Sequence, residues 1–358
     1  MKKFLITTIA LNFLASTSFA FNNPVTIQDQ GSFFAGGKMI QTPGVANFSE
    51  PRNPAGQTLH GDSAYVFYQI PVNARKIPLI FLHGYGQSGK SWETTPDGRD
   101  GFQNIFLERR FKVYIVDQPR RGRAGNSTTG TTINPTTMDQ LWAANFRISD
   151  FQNNLFPGVQ FPEGDYARDQ FFKQMTPDTG SYDNKVITDS MSALFDTIGD
   201  GILVTHSAGG DPGWMTAMQN SNVRAVVAYE PGGGFAFPIG EEPAEMESSS
   251  PFGNLKPNIY SVEQFERLTK IPIILYFGDN IPSGDKPLER WELDNWRVRL
   301  NMARLFVDAV NRHGGNATLI HLPEVGIYGN DHFLFADRNN VELADLLSDW
   351  LRENQLDE

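Results

Sequence analysis

The feature that most constrains how this chain can fold is a short apolar run that ends at a serine flanked by small residues. Residues Gly201–Val204 have the composition of a buried strand, and they lead directly into Thr205–Gly210, with the sequence Thr-His-Ser-Ala-Gly-Gly. Small residues after a serine let a strand and the following helix approach closely around a sharp turn. The pattern predicts that Ser207 lies on a strained strand-to-helix turn with its hydroxyl exposed above a sheet. Thr205 stands where this motif usually has glycine.

Short apolar runs alternate with helical stretches from residue 62 onward, and this alternation indicates the fold class. Continuous apolar runs bounded by Gly, Pro or Asp are typical of buried parallel strands. The predicted strands are Ala64–Ile70, Pro78–Leu82, Lys112–Val116, Ile202–Val204, Val223–Tyr229, Ile273–Phe277 and Thr318–Leu322. The predicted helices are Asp211–Gln219, Val262–Leu268, Trp291–Asn311 and Val341–Leu351. We therefore predict an α/β protein with a doubly wound, mostly parallel sheet.

Three segments do not fit this alternation. Residues 21–56 are rich in Gly, Pro and Asn, and they predict a leading arm with one strand near 32–34. Residues from 131 to about 184, which contain many aromatic side chains, and residues 235–260 are long for simple connections. Insertions of this length in an open α/β sheet often form a cap or lid over a site. We expect residues 21–358 to form a single domain with these two insertions as its cap.

The first twenty residues have the pattern of a secretory signal peptide. Two lysines precede an apolar stretch from Phe4 to Leu14, and Ser18-Phe19-Ala20 provides a small-x-small cleavage site. The apolar stretch is too short to span a bilayer, and a chain with no cysteine has neither a lipoprotein anchor nor a disulfide. We expect a bacterial protein that is periplasmic or secreted, with no stable membrane anchor.

The charge of the chain argues against two classes of partner. The net charge is −11, and it becomes −13 without the leader, which carries two lysines and no acidic residue. An acidic protein repels nucleic acid and anionic membrane surfaces. We therefore expect no nucleic-acid partner.

One segment matches a nucleotide-binding motif. Residues Gly84–Ser91 fit the pattern G-x-x-x-x-G-K-[ST] directly after a predicted strand, and the apolar run Val113–Asp117 ends in an acidic residue. An exported protein has no cytoplasmic nucleotide pool, and a phosphate-binding loop explains neither Ser207 nor the histidine discussed next. Backbone N–H groups in such a loop can equally bind another anion. We therefore disfavour P-loop nucleotide binding.

A nucleophilic serine needs a base, and an acid that orients the base. Of six histidines, only His332, in Gly329–Phe333, lies on a loop beyond the last predicted strand. Where the chain order is serine, acid, histidine, the base is expected at that place. Two acids precede it at strand ends, Glu230 and Asp279, and spacing alone leaves both open.

Five segments together resemble a known family. They are Gly31–Gly37, His83–Gly86, Thr205–Gly209, Tyr229–Pro231 and Gly329–Phe333. The chain resembles the α/β-hydrolase superfamily, and particularly secreted microbial esterases in which the acid is a glutamate after the sixth strand. This resemblance favours Glu230 over Asp279 and implies a Ser207, His332 and Glu230 triad.

The expected function is ester hydrolysis of a small-molecule substrate through an acyl-enzyme on Ser207. Backbone N–H groups of Tyr85 and Ala208 would form the oxyanion hole. No His-Glu-x-x-His pattern or clustered ligand spacing occurs, so we expect neither a metal nor an organic cofactor. The alternatives are another hydrolase on the same fold, a peptidase or lactonase, and a non-catalytic binding protein.

Overall fold

A computed structural model describes residues 24–358, and the predicted signal peptide at residues 1–20 lies outside the described residues. The strands in this part of the chain are Ile27–Gln41 (β1), Thr58–Pro71 (β2), Leu79–Leu82 (β3), Val113–Asp117 (β4), Gly201–His206 (β5), Val223–Tyr229 (β6), Ala236–Pro238 (β7), Asn258–Tyr260 (β8), Pro272–Phe277 (β9) and Asn316–His321 (β10). The α-helices are Phe102–Glu108 (α1), Asp139–Asn145 (α2), Asp165–Lys173 (α3), Asn184–Ile198 (α4), Gly210–Gln219 (α5), Val262–Phe265 (α6), Trp291–Arg312 (α7) and Asn340–Glu353 (α8). Within residues 24–358, no helix has the length and apolar character needed to cross a membrane.

Eight strands form one sheet in the order β1-β2-β4-β3-β5-β6-β9-β10. The β1–β2 and β2–β4 pairs are antiparallel, and all the other neighbours are parallel. The predicted mostly parallel sheet is confirmed. Strands β3 and β5 are buried throughout because helices cover both faces of the sheet, which explains their continuous apolar sequences.

The two faces of the sheet carry separate apolar cores. On one face the buried side chains include Leu194 of α4, Trp214 of α5 and Phe306 of α7. On the other face they include Phe106 of α1 and Leu347 of α8. Helices on both faces of a parallel sheet give the doubly wound arrangement that the alternation predicted.

The strand in the leading arm is longer than the strand predicted near residues 32–34. Strand β1 spans 15 residues, and it pairs with β2 from Ile27 to Gln41 across one register shift. Most of β1 is exposed because it is the edge strand of the sheet. Its sequence therefore lacks the continuous apolar run by which the inner strands were predicted.

The two insertions contain little regular structure. The first holds only the short helices α2 and α3 before α4 begins at Asn184. The second contains the parallel two-stranded pair of β7 and β8. The predicted helix at 262–268 is shorter than expected, because α6 ends at Phe265 and a separate 3₁₀ turn spans Leu268–Lys270.

Candidate active site

The turn after β5 has the strained geometry that the sequence predicts. Ser207 has a φ of 52°, a left-handed conformation that is uncommon for a residue with a side chain. It is followed by a 3₁₀ turn at Ser207–Gly209 and by helix α5. A Cβ atom on Gly84 would lie 2.7 Å from Cβ of Ser207, and one on Gly209 would lie 2.7 Å from the His83 carbonyl oxygen. Two glycines are thus required for the loop after β3 to pack against this turn.

Thr205 is accommodated by a glycine on the neighbouring helix. The threonine side chain is fully buried, and a Cβ atom on Gly213 of α5 would lie 2.7 Å from its methyl carbon. Thr205 therefore fits at the position where the motif usually has glycine, because Gly213, one helical turn into α5, has no side chain that would collide with it.

The structure brings His332 and Glu230 into direct contact. Glu230 follows β6 with a φ of 42°, and His332 lies in the loop after β10. The Nδ1 atom of His332 donates to Oε2 of Glu230 at 2.6 Å, and both side chains are buried. Because Nδ1 donates, Nε2 of the neutral ring carries the lone pair. This buried Nε2 has no hydrogen-bond partner among the described residues.

His206 connects the serine turn to the histidine loop. Its Nε2 donates to the carbonyl oxygen of His332 at 2.9 Å, and the two ring centroids are 4.4 Å apart. Since His206 immediately precedes Ser207, this contact places the serine turn beside the loop that carries His332.

Asp279, the second candidate acid, has a different role. Its carboxylate accepts hydrogen bonds from the amides of Asn280 at 2.5 Å and Gly329 at 2.7 Å. Its own amide donates to the carbonyl of Asn330 at 2.8 Å. Asp279 thus holds the chain just before His332, and no hydrogen bond joins it to the imidazole in the described structure.

The predicted oxyanion donors belong to the serine turn and to the loop that packs against it. Tyr85 follows Gly84, which packs on Ser207, and its amide donates no hydrogen bond within residues 24–358. The Ala208 amide lies in the first turn after β5, where helical N–H groups have no intrahelical partner. Gly232 supports this turn, because its amide donates to the carbonyl of Ser207 at 2.8 Å.

Burial lowers the pKa of both site histidines, and nearby cations add to this effect at His332. Burial, together with the positive charges of Arg147 and Arg299, holds the pKa of His332 well below its ordinary value of 6.5. Burial also holds the pKa of His206 well below the same value. A neutral His332 is in the protonation state that a general base requires.

Arg147 is a residue of this site that the sequence analysis missed. It follows Phe146, the residue after α2, and its Nη2 donates to Oε1 of Glu230. Both side chains are completely buried. Trp296 of α7 packs between this guanidinium and His332, 5.0 Å from Cζ of Arg147 and 4.2 Å from the imidazole. No local spacing signals these contacts, because each partner lies far away in the sequence.

The other histidines lie elsewhere. His83 is buried, donates through Nδ1 to the Gly84 carbonyl at 2.8 Å, and has a pKa lowered by burial to about 4. His60 is exposed, and His313 and His321 contact Glu241 and Glu324. No group of three or more His, Cys, Asp or Glu side chains is placed to hold a metal ion in the described part of the chain.

The segment that matches a nucleotide-binding motif does not form a phosphate site. Only a four-residue 3₁₀ turn follows, at Gly89–Trp92, whereas a P-loop leads into a helix whose N-terminus binds phosphate. The Gly89 amide donates to the carboxylate of Asp117 at 2.7 Å. Lys90, the residue that would bind phosphate in a P-loop, donates through Nζ to the carbonyl of Thr94 at 2.7 Å. The buried carboxylate of Asp117 occupies this loop and would repel a phosphate.

A cavity of about 710 Å³ lies beside Tyr85 and is lined mainly by the first insertion. Its larger side chains include Trp142, Phe172 and Met175, and Tyr182 lies on its wall. The Tyr182 hydroxyl donates to the carbonyl of Ala208 at 3.1 Å. The cavity is therefore adjacent to the serine turn through the two tyrosines.

Comparison with known proteins finds chains similar to this one. A solved structure described as a novel bacterial esterase has 30% sequence identity and a TM-score of 0.73, and the match covers 93% of this chain and 98% of that one. A probable secreted lipase, phiG, of Fungal sp. (strain ATCC 74256) is 27% identical over 326 aligned positions, covering 81% of this chain and 85% of that protein. No protein-family model matches the chain.

Proposed function

This chain belongs to the α/β-hydrolase superfamily and is an ester hydrolase, and we propose that it acts through an acyl-enzyme on Ser207. The observation that carries the proposal is the buried pair of His332 and Glu230. Their contact of 2.6 Å fixes the tautomer that leaves Nε2 without a proton. The contact between His206 and His332 joins the loop that carries this pair to the turn of Ser207, where the serine has a strained φ of 52°.

In the proposed reaction, Nε2 of His332 takes the Ser207 hydroxyl proton as Oγ attacks the ester carbonyl carbon. The resulting tetrahedral intermediate collapses, and the imidazolium returns the proton to the leaving alkoxide. Water then attacks the acyl-enzyme with His332 again as the base, and this releases the acid and restores Ser207.

One hydrogen-bond acceptor and two backbone donors stabilise charge during these steps. Glu230 stabilises the imidazolium and holds its orientation through Nδ1. The Tyr85 and Ala208 amides bind the oxyanion, and each such donor contributes about 3 kcal/mol of transition-state stabilisation.

We further propose that residues 131–184 and 235–260 form the cap and that the cavity holds an apolar or aromatic group of the ester. The rings of Trp142 and Phe172 on its wall support this assignment, because flat aromatic side chains favour apolar ligands. Asp139 and Asp178 also line the cavity, which favours an uncharged group over an anionic one.

Export is part of the proposal. Residues 1–20 carry the charged, apolar and small-residue sections of a signal peptide, and the fungal relative is described as secreted. Detection of a mature chain beginning at Phe21 outside the cytoplasm would support export; retention of an intact leader in the cytoplasm would contradict it.

The test is labelling of the mature protein with a fluorophosphonate, followed by mass mapping of the modified peptide. We expect modification at Ser207 in the wild-type protein, none in Ser207→Ala, and strong slowing in His332→Ala. A folded wild-type protein without modification would favour the binding-protein alternative. If Ser207 is modified, a panel of esters, lactones and peptides separates the three hydrolase classes.

A further inference from the structure

The carboxylate of Glu230 is shared among three hydrogen-bond donors. Its Oε2 accepts from His332 at 2.6 Å. Its Oε1 accepts from the amide of Gly278 at 2.7 Å and from Nη2 of Arg147. A catalytic histidine needs only one oxygen of its acid partner. The Arg147 guanidinium, which binds the other oxygen, must therefore have a separate role.

The first insertion supplies this cation. Arg147 follows α2 with a φ of 60°, and its Nε donates to the carbonyl of Asp279 at 2.8 Å. The carbonyl oxygen of the preceding residue, Phe146, accepts a hydrogen bond from the backbone amide of His332 at 3.0 Å. The ring of Phe146 stacks on the imidazole with centroids 5.1 Å apart. The chain around Arg147 is thus attached to the histidine loop as well as to the acid.

We propose that Arg147 is a positioning residue for the reaction, acting on His332 through Glu230. Its guanidinium holds the carboxylate so that Oε2 faces Nδ1, and its charge offsets the negative charge that would otherwise favour a protonated imidazole. This inference rests on the proposed roles of Ser207, His332 and Glu230. It also makes the first insertion part of the catalytic apparatus, in addition to lining the substrate cavity.

The charged groups around His332 show what Arg147 contributes to the electrostatic environment of the imidazole. The titratable and charged groups that face the imidazole from the packed elements are Glu230 after β6, Arg147 after α2, Arg299 on α7, His206 on β5, and Asp331 and Asp337 of its own loop. Arg299 donates to the carbonyl of Gly232 at 2.8 Å and not to the acid. Arg147 alone among these cations binds the Glu230 carboxylate, so its removal leaves that negative charge opposite the imidazole.

The experiment measures the pH dependence of Ser207 labelling in wild type, Arg147→Gln and Arg147→Lys. We expect a wild-type acidic limb with a midpoint below 6.5, because burial and two arginines lower the pKa of His332. Arg147→Gln should move the midpoint upward by about one unit or more, since a cation near the pair is lost. Arg147→Lys retains the charge but not the planar fork. It should keep the midpoint while lowering kcat with KM unchanged.

Arg120→Gln is the matched control, because it also breaks a buried arginine–carboxylate pair, with Asp62. It should leave the midpoint of the acidic limb at the wild-type value. A folded Arg147→Gln protein with the wild-type midpoint would overturn the inference, as would an equal shift in Arg147→Lys. If the glutamine variant does not fold, the lysine variant decides, and unchanged kcat would overturn the positioning role. Failure of wild-type Ser207 to react defeats the proposed function itself, and is distinguishable from these outcomes.

Discussion

The carboxylate of Asp279 accepts the backbone amide of Gly329 at 2.7 Å, three residues before His332. The two acids that the sequence left as alternatives therefore contact the same loop in different ways. Glu230 contacts the imidazole, whereas the Asp279 carboxylate contacts the main chain that leads to it. This division of roles separates a residue that acts on the proton from one that supports the loop.

Exchange of each acid for its amide should distinguish these roles. Glu230→Gln removes the negative charge beside Nδ1 and permits the wrong histidine tautomer, so we expect kcat to fall by about ten-thousandfold, as in other triads. Asp279→Asn keeps an oxygen that accepts the Gly329 amide, so we expect a loss below about tenfold. Steady-state kinetics with one reactive ester measure both effects. A larger loss in Asp279→Asn than in Glu230→Gln would reverse the assignment of the acid.

The contact between Gly84 and Ser207 leads to a second prediction. A methyl group at Gly84 would lie 2.7 Å from the serine Cβ, so Gly84→Ala should displace the serine turn. A displacement of about 1 Å can cost about 100-fold in rate, and we expect a loss of that order in the rate of fluorophosphonate labelling. Gly130→Ala is the matched control, because no atom lies within 4 Å of its added methyl. Labelling of folded Gly84→Ala at the wild-type rate would refute the close packing.

The cavity leads to a third prediction, about substrate size. Trp142 forms part of the cavity wall, so Trp142→Ala should raise KM for an ester with an aromatic group by about three- to tenfold, the value of one aromatic contact. Its kcat for an acetate ester should change little. Phe151→Ala removes a ring of the same insertion that packs on Trp291 outside the cavity, and serves as control. Equal effects of Trp142→Ala on large and small esters would contradict binding in this cavity.

The sequence predicts the inner part of the fold better than its edge. Strands β3, β5, β6 and β9 are buried on both faces, so their apolar runs are continuous and easily recognised. Edge strand β1 is mostly exposed, and only its pairing with β2 defines its length. Helix α4 was not predicted, although its buried apolar residues recur at helical spacing, at Val186, Ile187, Met191, Leu194 and Phe195.

The candidate site was partly predictable for the same kind of reason. Ser207 directly follows β5, where local sequence determines the turn, and His332 lies in the loop beyond the last strand. The choice between Glu230 and Asp279 depends on which carboxylate reaches the imidazole across the sheet edge. Arg147 binds a carboxylate 83 positions away, and no periodicity or motif records a contact of that kind.

A buried pair of carboxyl groups beside His332 leads to the last prediction. Asp331 and Asp337 are almost completely buried, and they lie close enough to interact electrostatically. Asp337 Oδ2 accepts from the Asn330 amide group at 2.9 Å and from the Asp331 backbone amide at 3.0 Å. Oδ2 of Asp331 and Oδ1 of Asp337 have no hydrogen-bond partner among the described residues. One shared proton would satisfy both oxygens.

A proton shared by Asp331 and Asp337 agrees with the direction in which their pKa values shift. Burial raises the pKa of Asp331 to about 7, and burial with the neighbouring Asp331 charge raises the pKa of Asp337 well above its ordinary value. A raised pKa in the folded state means that folding takes up a proton. The stability contributed by the pair is therefore complete below the unfolded pKa of about 4, and it is lost as pH rises through about 7.

Asp337→Asn should remove this dependence, because its amide can donate to Oδ2 of Asp331 at every pH. We expect the free energy of unfolding of the variant, relative to wild type, to increase by about 1–3 kcal/mol between pH 4 and pH 8. Urea unfolding of both proteins across this range measures the difference, and the depressed pKa of His332 cancels because both proteins retain it. Asp189→Asn, an exposed partner of Lys185, controls for the substitution. Parallel stability curves for wild type and Asp337→Asn would show that the pair holds no shared proton.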